Sequence, residues 1–191
     1  WGDDSYRRYN ILANLNSQVK DWVSFNFSTK YARSETDVPI GVVGLDRTYT
    51  WSQFIDFWPT MPKYNIDGRI ANPLIFALEK GGRIVTENHD LWMNIGTELE
   101  PIKGWKTNLN YRYNYRWGSN TQDPKPVPVP IPNGSTGNIG EATTGYRSTL
   151  SQGQYSQVSL FTSYEKLLGR HYLKGLVGYE QDADYNRGLQ G

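Results

Sequence analysis

Between positions 51 and 69 the chain crowds Trp51, Phe54, Phe57, Trp58 and Tyr64 beside Asp56, Asp67 and Arg69. Aromatic faces stack on the apolar C–H face of a sugar ring, and neighbouring polar groups can hydrogen-bond its hydroxyls. Trp51, Trp58, Tyr64 and Asp67 are the candidate substrate-binding residues on that ground. The same aromatics can instead pack their loop against neighbouring structure, and residue types alone leave both readings open. Other chemistry is thinly represented. The two histidines, His89 and His171, stand far apart and near expected strand ends, where a lone imidazole is ordinarily one more polar side chain. Asn65, Asp67 and Gly68 suit a turn but lack the spaced acids of a calcium loop. Glu98 and Glu100 share one face of a strand, as paired catalytic carboxylates can. In a wall that also carries cations, Lys106 and Arg112 are their expected partners. No nucleophile elbow, phosphate loop or paired-histidine metal motif occurs. The residues therefore predict no catalytic group, no metal and no cofactor.

The elements that must position these residues are strands. Odd positions from Tyr9 to Val19 read Tyr9, Ile11, Ala13, Leu15, Ser17 and Val19, and Lys20-Asp21 then turns the chain. Val23, Phe25, Phe27, Thr29 and Tyr31 form one face of the next strand, opposite Ser24, Asn26, Ser28 and Lys30. Leu91 to Leu99 alternate with Trp92, Asn94, Gly96 and Glu98, and Pro101-Ile102-Lys103-Gly104 turns again. The clearest strand follows. Trp105, Thr107, Leu109, Tyr111, Tyr113, Tyr115 and Trp117 share one face, and Lys106, Asn108, Asn110, Arg112, Asn114 and Arg116 the other. A weaker third hairpin sets Val158, Leu160, Thr162 and Tyr164 against Leu173, Gly175, Val177 and Tyr179 around Leu168-Gly169-Arg170. Strict alternation predicts strands with one apolar face. The expected order is an antiparallel meander of six strands, at about 6–19, 22–34, 91–100, 105–118, 155–166 and 171–183.

Connections sharpen this reading. Turns within hairpins are tight, whereas 35–90 and 118–154 are long, as in a transmembrane β-barrel with short periplasmic turns and long extracellular loops. Hydrocarbon satisfies no backbone N–H or C=O, so a membrane sheet must close. Its outward side chains meet lipid and its inward ones meet water. Trp22 and Trp105 stand beside the short turns, and Tyr31, Tyr115, Trp117 and Tyr179 at the expected far ends, as interfacial aromatics do. Leu109, Tyr111, Tyr113, Phe25, Phe27 and Ile95 are expected to face lipid, and Asn110, Arg112, Asn114, Asn26 and Lys30 the lumen. Bacterial barrels start at about eight strands, so six read as part of one, open in this chain. A soluble antiparallel sheet wetted on one face also alternates, which keeps a soluble β-sheet binding module as a rival reading.

Within the long loops, 51–58 reads as a short helix halted before Pro59. Asn72 caps a second helix that begins at Pro73 and stops at Gly81-Gly82. The run Pro124-Lys125-Pro126-Val127-Pro128-Val129-Pro130-Ile131-Pro132 predicts extended polyproline II, and 133–153, rich in small and polar residues, a mobile stretch.

Composition agrees. Only 37% of the 191 residues are hydrophobic, yet there are 7 Trp, 14 Tyr, 6 Phe and 19 Gly. A mean hydropathy of -0.66 suits a sheet wet on one face. The net charge of +1 supplies no basic excess for nucleic acid. The absence of cysteine excludes a disulfide framework. No stretch of about 18 apolar residues offers a transmembrane helix. The chain opens at Trp1-Gly2-Asp3-Asp4 without a visible leader, as a mature or excised segment would and as a cytosolic protein would, and only the strand pattern separates these.

Several stretches resemble one family. Tyr6-Arg7-Arg8-Tyr9-Asn10, Val19-Lys20-Asp21-Trp22 and Phe57-Trp58-Pro59, followed by Pro62, Tyr64 and Asp67-Gly68, look like SusC-like TonB-dependent transporters of Bacteroidetes outer membranes. So do Asn72-Pro73, Leu78-Glu79, Gly81-Gly82-Arg83, Pro101-Ile102-Lys103-Gly104-Trp105, and the closing hairpin from Tyr164-Glu165-Lys166 to Leu176-Val177-Gly178-Tyr179-Glu180. The resemblance spans most of the chain outside the proline-rich loop. It implies a 22-stranded barrel with a plug domain and a TonB-contacting segment, neither of which this segment would contain. It further implies import of oligosaccharides or peptides, a SusD-like surface lipoprotein over the mouth, and residence in the bacterial cell outer membrane. A passive porin-like or anchoring barrel is the alternative within the membrane class.

Overall fold

The structure is a computed structural model that describes residues 4–40, 62–68, 71–130, 136–139 and 145–191. Period-2 alternation becomes six long strands: β1 (Ser5–Lys20), β2 (Val23–Pro39), β3 (Gly82–Ile102), β4 (Trp105–Pro124), β7 (Arg147–Leu168) and β8 (His171–Gln190). They form one antiparallel meander, in the order β1-β2-β3-β4-β7-β8, which does not close on itself. A second, two-stranded sheet pairs β5 (Val127–Pro130) with β6 (Thr136–Ile139). Helix α1 (Pro73–Lys80) precedes β3.

Register makes rows across the main sheet. One row reads Leu15, Phe27, Ile95, Tyr111, Val158 and Gln181, and the next Ala13, Thr29, Met93, Tyr113, Ser156 and Ala183. Directly paired residues in an antiparallel sheet share a face. These rows therefore gather the apolar phases of neighbouring strands on one side. The opposite side carries Asn16, Asn26, Gly96, Asn110, Ser159 and Glu180 in one row, and Asn14, Ser28, Asn94, Arg112, Gln157 and Asp182 in the next. The predicted partition of residues between the two faces is thus present in the register.

The strands run further than alternation predicts. β2 continues to Pro39, β3 begins at Gly82, β4 reaches Pro124, β7 begins at Arg147 and β8 ends at Gln190. The connections accordingly shrink from 35–90 and 118–154 to 40–81 and 125–146. The added ladder mixes polar and apolar residues in both phases, with Val38 opposite Ile84, Val85 opposite Asp37 and Leu150 opposite Leu189, so a period-2 hydrophobic pattern cannot reveal it. Backbone pairing holds it, and ion pairs lie along it. Arg33 pairs with Glu87 and Glu35, and Arg83 with Asp37 at 2.7 Å. Because the strands lengthen, two positions change meaning. His89 lies well inside β3 and not near a strand end. Tyr179 pairs with Leu160 in mid-sheet, and Tyr185 takes its expected place, in the row of Tyr31 and Tyr115.

The proline-rich run departs from lone polyproline II. Val127–Pro130 is extended but paired, with Val127 opposite Ile139 and Val129 opposite Gly137. Alternate N–H groups of a strand point to opposite edges, so Pro128 and Pro130 remove donors from one edge only. The valine edge keeps its donors and can pair. Part of the stretch expected to be mobile is likewise ordered, as β6 and the first turn-distal residues of β7.

Tight turns lie where expected, and two use glycine at positive φ: Gly104 at 88° and Gly169 at 61°. A side chain on Gly104 would meet the Glu165 carbonyl, whose residue's N–H donates to Gly104 O at 2.8 Å. Helix α1 begins as its sequence predicts, with Ile75 N–H donating to the Asn72 side-chain oxygen at 3.4 Å. Gly82, at φ 106°, follows its end. The expected helix at 51–58 lies outside the described residues.

Candidate functional site

Among the described residues, the large buried apolar side chains are Phe76 and Val127, and both lie outside the six-stranded sheet. Its own apolar residues stay open: Leu12 is 67% exposed, Leu15 57% and Val177 71%. The sheet is a single layer, and its two faces differ in chemistry.

The apolar face is a band with aromatic borders. Near the short turns, Trp105 Nε1 donates to Thr162 Oγ1 at 2.8 Å, and Lys20 Nζ lies 5.6 Å from the Trp22 ring centre. At the other border His89 stacks on Trp117 with centroids 4.6 Å apart and planes 1° from parallel. Tyr31 OH lies 2.7 Å from His89 Nδ1, and Tyr115 packs 5.2 Å from Trp117. Beyond them the face turns charged, with Arg33, Glu35, Asp37 and Glu87. From Trp105 to Trp117 a strand rises about 40 Å at about 3.3 Å per residue. At the tilt usual in membrane barrels, about 45°, this becomes about 28 Å, close to the roughly 25 Å apolar belt of such barrels.

The polar face holds two concavities, of about 750 and 440 Å³. Arg8, Asn88, Asp90, Arg116 and Asn186 line the larger, and Leu12, Lys30, Trp92, Asn94 and Arg112 the smaller. Small residues give the larger its depth, because Ala32, Ser34, Gly153, Ser151 and Gly188 all line it. A side chain at Gly153 would collide with the Asn186 amide and approach the Arg116 guanidinium. The two concavities adjoin across Asp90 and Trp92. Trp92 Nε1 donates to Asp90 Oδ2 at 3.0 Å, and Asn114 Nδ2 to Asp90 Oδ1 at 2.6 Å. Asn114 is 2% exposed and also donates to the Leu91 carbonyl at 3.2 Å. Each oxygen of Asp90 is thereby occupied, and the indole of Trp92 is held by its nitrogen while it remains 42% exposed.

The concavities indent a wall of otherwise wet, polar side chains. Trp92, an aromatic in the polar phase of β3, is the signal the sequence does carry. The floor is invisible without register, because Ala32, Gly153 and Gly188 come from three different strands. Glu100 meets Lys106 at 3.7 Å, as expected of a wall carboxylate. Arg112 does not meet Glu98; it donates to Gln157 Oε1 at 3.0 Å, and Gln157 in turn to Glu180 Oε1 at 2.9 Å.

Of the four residues predicted to touch substrate, Trp51 and Trp58 lie outside the described residues. Tyr64 meets Phe76 of α1 edge-on, with centroids 5.2 Å apart, and Lys63 beside it pairs with Glu79 at 2.5 Å. Asp67 sits in the exposed turn closed by Gly68 N–H on the Asn65 carbonyl at 2.9 Å. Neither Tyr64 nor Asp67 lines the two concavities of the sheet. Among the described residues no group of three His, Cys, Asp or Glu could hold a metal ion, and no helix is long and apolar enough to cross a membrane. No family model and no curated protein matches the chain.

Proposed function

We propose that this chain is a barrel segment of an outer-membrane active importer, of the SusC-like TonB-dependent kind, and that it is not an enzyme. One observation carries the membrane part. A single-layer sheet exposes a continuous apolar face, bordered by aromatics at both ends, and the described residues supply no second layer to cover it. Exposed apolar patches of this extent mark an interaction surface. Lipid fits because the strands cross the belt at the right length, charged ladder follows one border and tight turns end the strands at the other. A soluble sandwich would instead bury that face against a second sheet.

The import part rests on the resemblance described above and on the concave, polar opposite face. In this reading that face lines a water-filled lumen, the long connections lie at the outer mouth under a SusD-like lipoprotein, and TonB acts through parts of the parent protein outside this segment. The cargo is an oligosaccharide or peptide, and the loop residues Trp51, Trp58, Tyr64 and Asp67 meet it at the entrance.

The test uses the full-length protein that carries this segment. Cell fractionation should place it in the outer membrane, and cells that express it should take up fluorescent oligosaccharide only while the inner membrane is energised. An uncoupler that leaves uptake intact would favour a passive porin. Recovery of the protein in the soluble fraction would overturn the membrane reading.

A further inference from the structure

The two borders of the apolar face carry charge differently. At the far border, Arg7, Arg33, Arg83 and Arg187 share that face with as many carboxylates, on Glu35, Asp37, Glu87 and Asp123. Arg33 and Arg83 meet theirs directly. At the short-turn border the same face carries Lys20, level with Val23 and Leu99, and Lys166, level with Leu173. No carboxylate shares those rungs. Lys103 and Arg170 stand in the next two turns, and Asp21, beside Lys20, is the one acid in the three turns. The other carboxylates at this end belong to the polar face. Glu100 pairs there with Lys106 and Glu165 with Lys174, while Glu98 lies level with Ser24 and Asn108. Lys20, Lys103, Lys166 and Arg170 are exposed and form no ion pair among the described residues. Set against Asp21 and Glu98, they leave this border with a cationic excess.

Exposed aromatics stand among these cations. Lys20 Nζ lies 5.6 Å from the Trp22 ring centre, and Trp105 and Tyr164 are cross-strand partners. Trp and Tyr collect at the depth of lipid headgroups. A lysine stem follows apolar surface while its ammonium reaches the polar zone. The cations of this border therefore stand at headgroup depth. Successive turns are two strand spacings apart, about 10 Å, so the cations form a row in the plane of the membrane. A guanidinium fork takes phosphate oxygens in pairs, and an ammonium meets them as a point charge.

We infer that the short-turn border of the apolar face is a docking surface for anionic phospholipid, whose headgroup phosphate carries uncompensated charge. Lys20, Lys103, Lys166 and Arg170 take the phosphates, and Trp22, Trp105 and Tyr164 fix the depth at which they meet. This inference rests on the lipid-facing part of the reading above and adds which class of lipid the border selects.

The test uses the full-length protein in phosphatidylcholine vesicles that hold a trace of spin-labelled phosphatidylglycerol or spin-labelled phosphatidylcholine. Electron paramagnetic resonance separates lipid held at the protein from lipid in the bilayer. One basic residue near an anionic surface favours association by about fivefold. Averaged over the whole lipid perimeter, phosphatidylglycerol should be preferred by about twofold or more, and less so as salt rises. Lys20→Gln, Lys103→Gln, Lys166→Gln and Arg170→Gln combined should remove most of that preference in protein that keeps its folded, heat-modifiable migration. Arg187→Gln, at the far border, should leave it unchanged. If the combined variant does not fold, Arg170→Gln alone, in an exposed turn, should still lower the preference. Equal association of the two lipids in the wild type, or a preference that survives in the folded variants, would overturn the inference. So would a matching loss in Arg187→Gln. Failure of the lipid-facing reading looks different, because neither labelled lipid would then show a population held at the protein.

Discussion

At the scale of single residues, neighbouring positions on one strand should respond oppositely to the same substitution. Leu109 lies on the apolar face and Asn110 on the polar one. An arginine on the lipid face near the midplane costs about 2–4 kcal/mol, so Leu109→Arg should lower refolding into vesicles by that amount while Asn110→Arg leaves it nearly unchanged. Asn114 predicts a different kind of loss. It is buried and serves both Asp90 and the Leu91 carbonyl. Asn114→Leu strands those acceptors, and a buried unsatisfied polar group costs about 1–3 kcal/mol, readable as an earlier urea midpoint. Glu165, by the last short turn, predicts a pH effect. Its carboxyl is held below the ordinary value, chiefly by the Tyr172 hydroxyl 2.6 Å away, then by Lys174, with partial burial opposing. A lowered folded-state value means the contribution is present above the unfolded carboxylate range, about 4.3, and is lost as pH falls through the folded value. Tyr172→Phe should therefore reduce the acid sensitivity of this hairpin, measured by hydrogen exchange of its amides between neutral and acidic pH.

At the scale of elements, the sequence pattern describes the part of each strand that has unlike faces. Trp105 to Trp117 is legible residue by residue because apolar and polar positions alternate without a break. Gly118 to Pro124 is not, although β4 continues through it. Its residues are polar in both phases, and what holds them is pairing to β3 and β7, a fact about distant partners. Helix α1 was readable because its start and stop are local: an asparagine cap, a proline, a glycine pair. Polyproline geometry is not settled locally, because whether Val127–Pro130 pairs depends on β6. The polar wall was half legible, since Trp92 breaks the phase of its strand while the small residues that recess the wall align only in register. The extended ladder makes its own prediction. Amides of 83–88 and 118–122 should exchange slowly, as paired strand, although they lie beyond the aromatic border. Glu87→Ala should leave the urea midpoint close to that of the wild type, because the Arg33 pair is partly exposed.

At the scale of the whole molecule, β1 and β8 each have one neighbour in the sheet, and both faces lack a covering layer among the described residues. Open edges template further pairing, so the isolated segment should aggregate in plain buffer and stay dispersed only in detergent or with the strands that complete its sheet. The central claim, that one face meets lipid and the other water, can be measured strand by strand. The chain contains no cysteine, so single cysteines introduced in the full-length protein at each position from Thr107 to Tyr115 can carry one spin label apiece. In bilayers, collisions with oxygen, which concentrates in lipid, should peak at 107, 109, 111, 113 and 115. Collisions with a water-soluble nickel chelate should peak at 108, 110, 112 and 114. Uniform access to the nickel chelate, or an absence of two-residue alternation between the two relaxers, would contradict a lipid-facing wall.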